Sequence, residues 1–471
     1  MLRATVDKLV EVTAGTLLTG DRESMIAGLA IDSREVVAPG VFVALSGERT
    51  DGHDHVLDAL GSGARAVLVD RAPFDVRAAV EEAQRLGAAV IHVDDSLGAL
   101  HKIAAWHRSR LRCAVVGLTG SSGKTTTKDF LKAAVGGTLR VAATQGNRNN
   151  EIGVPLTILD AGTECDVLVL EMGMRGLGQI AELCEIARPD FGLVTNVGVT
   201  HIELLGTQDM IAQAKGELVE AIEPKGTVFL NGDDAYSGVL AAKARSAVVL
   251  YGLGETCEIT ATQVVLDELS RPSFAMHTPQ GDVQVTLTVP GRHNVYNALA
   301  AAAVALRLGV PLESIAEGLA AADMSAMRME TFVSASGVTV INDAYNANPT
   351  SMSAAVETLA AIESSGRRVA VLGDMAELGS LTELAHFHLG EEVARSGIDV
   401  LVTVGERARR IADGAKAAGM DPDAVRPCVT TQEAVEVLDD LLDCGDTVLE
   451  KASRSMGLEA VDEGVVTPRA H

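Results

Sequence analysis

Short apolar runs bounded by glycine, proline or acidic residues alternate along this chain with stretches whose apolar positions recur at helical spacing. Runs of that kind, rich in β-branched residues, predict strands buried on both faces, and the stretches between them predict the covering helices. Val41–Leu45, Ala66–Val69 and Ala89–Val93 read as strands, with helices at Val76–Leu86 and Leu97–Arg110. Cys113–Leu118, Asp166–Glu171, Phe191–Asn196 and Gly226–Asn231 follow as strands, with helices opening at Lys124 and near Val154 and spanning Asp209–Ile222. Residues 256–288 alternate apolar and polar, as antiparallel strands do, before an alanine-rich helix that Asn297 would begin. Val338–Asp343, Arg368–Leu372, Val400–Val404 and Thr447–Glu450 then repeat the strand–helix alternation. The pattern predicts an α/β protein of three domains: a small N-terminal one at 1–110, a central one with a parallel or mixed sheet at 111–326, and a doubly wound one at 327–471.

The strongest chemical signal follows the strand at Cys113–Leu118. Gly120, Ser121, Ser122 and Gly123 form a small-residue loop, and Lys124, Thr125 and Thr126 open the next helix. Glycines let backbone N–H groups close around phosphate oxygens, the helix N-terminus adds partial positive charge, and lysine neutralises the anion. The usual phosphate loop has four residues between its glycines, whereas Leu118 stands where the first glycine would be. Downstream, Gly146–Gly153 packs Asn147, Asn149 and Asn150 into one polar loop, which suits holding a phosphate or carboxylate. Glu171 ends a strand, and His201 follows another through Thr200. Ligands gather beyond the carboxyl ends of parallel strands, so Thr125, Glu171 and His201 are candidate Mg²⁺ ligands. His201 also fits a plain turn histidine.

Other positions are open to two readings. Ser33 and Arg34 could meet a phosphate or a uracil edge, or simply belong to a turn closed by Asp32. Lys215 on its helix reads by pattern as a solvated charge. Asn297 could cap its helix or contact a base. Asp343, Asp374, Lys451 and Ser453 all fall at strand ends, which ordinary turns explain less well.

Composition narrows the class. Of 471 residues, 47% are hydrophobic and 46 are glycine, which fits a glycine-punctuated α/β protein. A net charge of −25 argues against a general nucleic-acid or anionic-membrane binder. The six cysteines form no C-x-x-C pair, as expected of reduced thiols in the cytoplasm. Asp7 and Glu11 fall where a signal peptide needs an apolar core, and the longest apolar run, near Ala298–Leu306, is too short for a membrane span.

Four motifs together carry a family resemblance: Thr119-Gly-Ser-Ser-Gly-Lys-Thr-Thr126, Gly146-Asn-Arg-Asn-Asn-Glu-Ile-Gly-Val-Pro155, Asn342-Asp-Ala-Tyr-Asn-Ala-Asn-Pro349 and Ala452-Ser-Arg-Ser-Met-Gly457. The chain resembles the Mur ligase family from Asp32 to Gly457, and most closely its branch that adds a terminal dipeptide. That family shares the unusual glycine spacing, but usually has glycine where Ala452 stands. The resemblance implies a P-loop ATPase central domain and a Rossmann-like C-terminal ligase domain. It implies ATP-dependent joining of D-alanyl-D-alanine to UDP-N-acetylmuramoyl-tripeptide through an acyl phosphate, in peptidoglycan precursor synthesis. It further implies two Mg²⁺ ions, a monomer and a cytoplasmic location. On that footing Lys124 holds the β/γ-phosphates within the loop Gly120–Thr126, Thr125 and Glu171 bind one Mg²⁺, and His201 binds a second with a carbamoylated Lys215. Asn149 joins Lys124, Lys215 and His201 as a catalytic candidate. Asn297 and Arg328 meet the nucleotide, with Asp343 near the ribose. Ser33, Arg34, Asn147, Asn150, Asp374, Lys451 and Ser453 are substrate-binding candidates, the first two for the uridine diphosphate. Two rivals are a folylpolyglutamate-type ligase and a non-catalytic nucleotide switch.

Overall fold

The computed structural model describes residues 1–47, 50–70, 76–200 and 202–461. By internal contact the chain divides into two compact units: 1–117 with 139–174 and 178–191, and 118–138 with 175–177 and 192–471. The division falls within the strand Ala114–Thr119.

In the first unit a five-stranded sheet runs in the order Thr16–Thr19, Ala89–His92, Ala66–Val69, Val41–Val43, Leu29–Ala30. Only the first pairing is antiparallel. Phe42, Val67 and Val90 sit wholly buried on one of its faces and Val43, Leu68 and Ile91 on the other, which is why these strands read as near-continuous apolar runs. Asp95 caps the helix Ser96–Arg110 by accepting from the backbone N–H groups of Leu97 and Gly98, at 3.0 and 2.9 Å. The unit also holds the parallel pair Val167–Glu171 and Val141–Ala143.

The second unit contains two sheet systems. One carries, in order, Gly281–Thr286, Pro272–Thr278, Ile259–Leu266, Ala247–Gly252, Thr227–Asn231 and Phe191–Val194. Ile259–Leu266, Pro272–Thr278 and Gly281–Thr286 pair antiparallel, as the alternating pattern of 256–288 led one to expect, while Ala247–Gly252 pairs in parallel with both Thr227–Asn231 and Ile259–Leu266. The other has the order Glu330–Val333, Thr339–Asn342, Thr447–Lys451, Arg368–Gly373, Val400–Val404, Val425–Cys428, parallel except at the Glu330–Val333 edge. Val340, Val371, Val402 and Val448 form its apolar centre. The three sheets bear out the α/β class.

Element limits shift by one or two residues from the sequence expectations, with one consequential exception. The alanine-rich helix spans Asn294–Arg307, so Asn297 lies inside its first turns rather than at its start. Asn294 takes the entry position, its side-chain amide donating to Pro290 O at 2.7 Å. That leaves the Asn297 side chain free of capping duty. The short edge strands Val141–Ala143 and Val425–Cys428 and the strand Ala247–Gly252 escaped the sequence pattern, the first two being too brief for periodicity to register.

Tyr251 braces the second unit. Its ring is 1% exposed, and its hydroxyl faces Val194 O at 3.1 Å and Thr195 O at 3.3 Å. Tyr251→Phe would leave those carbonyls without that donor in a dry interior. We expect urea unfolding to show a loss of about 1–2 kcal/mol.

Candidate functional site

The loop after the strand Ala114–Thr119 is shaped by its two glycines. Gly120 has φ +154° and Gly123 φ +78°. A Cβ at Gly120 would overlap the Thr195 hydroxyl, and one at Gly123 would overlap the Asn297 amide oxygen. Behind the loop, Ser122 is held on every polar atom. Its N–H donates to Asn196 Oδ1 at 2.9 Å, and its carbonyl accepts from Thr195 Oγ1 at 2.6 Å and Asn196 Nδ2 at 3.1 Å. Its hydroxyl meets the Asn348 amide, with Nδ2 at 3.0 Å. Ser121 exchanges hydrogen bonds with Gly198, its hydroxyl donating to the carbonyl at 2.9 Å and accepting from the N–H at 2.8 Å. The helix Lys124–Gly136 starts directly from Gly123 with no side-chain cap. Its first N–H groups, Thr126 among them, therefore stand at a helix N-terminus that attracts anions. Lys124 folds back to donate to Gly120 O at 2.8 Å, a perch from which its ammonium can swing to a phosphate.

Around this loop the second unit gathers further expected residues. Thr127 Oγ1 donates to Asn297 Oδ1 at 3.2 Å, and Asn297 Nδ2 donates to Asn294 Oδ1 at 2.9 Å. Arg328 Nη2 donates to Thr125 Oγ1 at 3.3 Å while the guanidinium stacks 3.9 Å from the Tyr345 ring centroid. Arg328 Nε is buried with no hydrogen-bond partner among the described residues, an orphaned donor suited to an incoming acceptor. Asp343 accepts from the Met329 N–H at 3.3 Å and from Lys451 Nζ at 2.5 Å, and Lys451 also donates to Asn346 O at 3.0 Å. Burial lowers the Lys451 pKa, against the pull of Asp343. Asn348 caps the helix Pro349–Ala361, its Oδ1 accepting from the Ser351 N–H at 3.0 Å. Asp374 Oδ1 accepts from the Ala408 N–H at 2.7 Å, and Ser453 bonds the same loop twice: N–H to Asp374 O at 3.0 Å, and Oγ from the Ala376 N–H at 2.8 Å.

Lys215 departs most from its pattern. It is 2% exposed rather than solvated, because its helix Gln208–Ala221 turns that face inward with Ile211, Ala214 and Leu218. Burial first, and the charge of Lys124 second, push its ammonium well below the ordinary lysine value. No carboxylate among the described residues pairs with it. Burial in that setting works against the charged form of the amine.

In the first unit Glu171 is 3% exposed. Its carboxylate accepts from Asn149 Nδ2 at 2.9 Å, and its N–H donates to Thr144 Oγ1 at 2.9 Å. Asn150 Oδ1 accepts from the Gly153 N–H at 2.9 Å, closing the loop into the helix Gly153–Asp160. Asn147 is exposed. Of the two readings for Ser33 and Arg34, the turn is present: Asp32 Oδ1 accepts from the Arg34 N–H at 2.9 Å and caps the turn Ser33–Glu35. Ser33 is buried, while the Arg34 side chain, 86% exposed, forks onto Asp32 and holds that carboxyl at about 2. His201 lies outside the described residues. Thr125 and Lys215 belong to the second unit and Glu171 to the first. A hydroxyl and a buried carboxylate are each hard oxygen donors of the kind that Mg²⁺ takes.

Sequence reasoning passed over Thr195, Asn196, Tyr345 and Asn348 as working residues. The signal existed for the first two, a Thr-Asn pair at a strand end opposite the glycine loop, but a strand end alone does not say which loop it braces.

Comparison with known proteins covers the whole chain. The family model described as Mur ligase middle domain matches residues 118–305, that of the Mur ligase, glutamate ligase domain 327–454, and that of the Mur ligase family, catalytic domain 25–108. UDP-N-acetylmuramoyl-tripeptide–D-alanyl-D-alanine ligase of Bacillus subtilis is 36% identical, over 99% of this chain and 99% of the relative. Among solved structures, MurF from Acinetobacter baumannii superposes with a TM-score of 0.88 at 32% identity, covering 99% of each chain. MurF ligase from Thermotoga maritima in complex with ADP gives 0.79 at 28% identity, covering 93% of this chain and 97% of that one.

Gly120→Ala would drive a methyl into the Thr195 hydroxyl and strain a φ that side chains rarely adopt. We expect titration calorimetry to show ATP affinity reduced by about tenfold or more, and the thermal midpoint to fall as well.

Proposed function

We propose an activity from one premise: the chain belongs to the Mur ligase family. The protein joins D-alanyl-D-alanine to UDP-N-acetylmuramoyl-tripeptide at the expense of ATP, in peptidoglycan precursor synthesis. The observation that carries this reading is the braced glycine loop with Lys124 at a helix N-terminus, in a chain aligned end to end with a ligase of that name. The tripeptide carboxylate attacks the γ-phosphorus of ATP; the new O–P bond gives an acyl phosphate and ADP leaves. The dipeptide amine then attacks the acyl carbon, loses its proton, and inorganic phosphate departs as the amide forms.

Both partners in the first step are anionic, so preorganised positive charge governs the barrier. Lys124 supplies it at the β/γ-phosphates, with the N–H groups of Gly123–Thr126 at the helix N-terminus and the orphaned Nε of Arg328 as further donors. Asn297 would face the base and Asp343 the ribose. Thr125, Glu171, His201 and Lys215 would hold Mg²⁺, two ions in all, and the metal when bound neutralises phosphate charge. Lys215 suits this role as a carbamate: a neutral buried amine adds to carbon dioxide, forming an N–C bond and releasing a proton, and so gains the sign a cation requires. Asn149 steadies Glu171.

For the domains we assign 1–110 to the uridine diphosphate end through Ser33 and Arg34, 111–326 to ATP, and 327–471 to the dipeptide. Asn147 and Asn150 would serve the tripeptide substrate, and Asp374, Lys451 and Ser453 the dipeptide. The protein would act as a monomer in the cytoplasm, where these precursors are made. No helix among the described residues is long and apolar enough to cross a membrane.

Coupled ADP release should depend on D-alanyl-D-alanine and not on glutamate; the opposite dependence would sink the assignment. Lys124→Ala should cost about a hundredfold or more in kcat/KM with the fold intact by circular dichroism. Lys215→Ala should lose most activity and regain part of it with small carboxylic acids. Full activity without added acid would make that lysine structural.

A further inference from the structure

The loop Gly373–Gly379 carries Asp374 and touches Ser453, two residues placed above on the dipeptide. One buried side chain ties this loop to the following helix, Thr382–Arg395, and no step so far has used it. His386 is 0% exposed. The Met375 N–H points at His386 Nε2 at 2.9 Å, and His386 Nδ1 lies 2.7 Å from Thr382 O. A backbone N–H can only donate, so Nε2 must carry a lone pair, and Nδ1 must carry the proton that Thr382 O accepts. The ring is thus confined to one neutral tautomer by its two neighbours. The loop it holds buries Met375 and Leu378, while Glu377 takes φ +61° and Gly379 φ +52°, and Glu377 O accepts from the Glu203 N–H at 3.3 Å. Glu203 lies two positions beyond His201, so the loop also reaches the segment that follows that proposed ligand.

We infer that His386 is a positioning residue for the acceptor dipeptide: its neutral ring fixes Met375 and with it the backbone of Asp374 and Ala376 that Ser453 engages. This rests on the reading of the chain as a D-alanyl-D-alanine ligase. A protonated ring carries hydrogen on Nε2, faces the Met375 N–H donor to donor, and releases the loop. The charged groups that face the ring are Asp374 from the loop, Glu383 from its own helix and Arg407 from the turn before the helix Arg409–Ala417. Burial, the largest influence, keeps the ring neutral against the two carboxylates. Because the ordered loop binds fewer protons than the released one, acid favours release.

The test is steady-state kinetics on the full-length protein, varying each of the three substrates in turn from about pH 7.5 to about pH 5.5, where imidazoles titrate. The dipeptide amine also protonates in this range, so wild type is read against His386→Gln, whose amide oxygen can accept from Met375 without titrating. We expect the dipeptide KM of wild type to climb in acid about tenfold more than that of His386→Gln, with the ATP and UDP-substrate KM values within about twofold. His386→Ala should show a raised dipeptide KM at every pH. Nitrogen-15 NMR of labelled histidine should show His386 in the Nδ1–H form near neutral pH, a measurement that does not depend on any variant folding. Superimposable wild-type and glutamine profiles, a parallel rise in all three KM values, or an Nε2–H ring would overturn the proposal alone. Absence of dipeptide-dependent ADP release by wild type would overturn the functional reading, and the proposal with it.

Discussion

The backbone N–H groups that a loop offers to a phosphate cannot also hold its shape, so its other polar groups must, and the second unit is organised around that constraint. Ser122 is braced from behind by Thr195 and Asn196, which engage its N–H and carbonyl and leave the front of the loop open. Thr195 and its neighbour Val194 are in turn fixed by the Tyr251 hydroxyl, and the Val197 N–H by Asp234 Oδ2 at 2.9 Å. Rigidity is transmitted through three strands before it reaches the loop. Preorganisation of this kind removes the reorganisation that charge stabilisation would otherwise require at the moment of reaction.

The same logic governs the charges. Lys124 rests on a backbone carbonyl and Arg328 on a tyrosine face, so two cations are stored against neutral partners, while Lys451 pairs with Asp343 in the interior. None is consumed by a surface ion pair. Lys215 is the exception, since it has been driven toward neutrality by burial beside Lys124. Cations kept in reserve and one amine pushed toward its neutral form make an environment in which two anions can approach one another.

The local signals were legible where chemistry and backbone coincide. The strand, the small-residue loop and Lys124 were readable because phosphate recognition demands their sequence adjacency. Glu171, Asp343, Asp374 and Lys451 were readable because parallel strands expose their ends. Periodicity could not show that Lys215 faces inward, since one lysine on a mixed helix face reads as solvated until the packing of Ile211 and Leu218 is known. Nor could it show that Asn297 lies one turn inside its helix, because Asn294 is the same residue type three positions earlier and takes the entry position instead. His386 left no trace at all: its role is set by a backbone N–H eleven residues away in sequence, and no spacing rule encodes that.

Asn348 brings two demands onto one planar amide. Its oxygen accepts from Ser351 and ends a helix, while its nitrogen donates to Ser122 in the phosphate loop. Aspartate would keep the oxygen and lose the donor; serine would keep a cap but stop short of the loop. The two duties together narrow the choice at this position further than either would alone, although the Ser122 hydroxyl, 3.3 Å from Asn348 Oδ1, could still donate to an aspartate. Tolerance to mutation here is therefore a product of separate filters, and a library randomised at Asn348 should be depleted far more severely than its modest place in the packing would suggest.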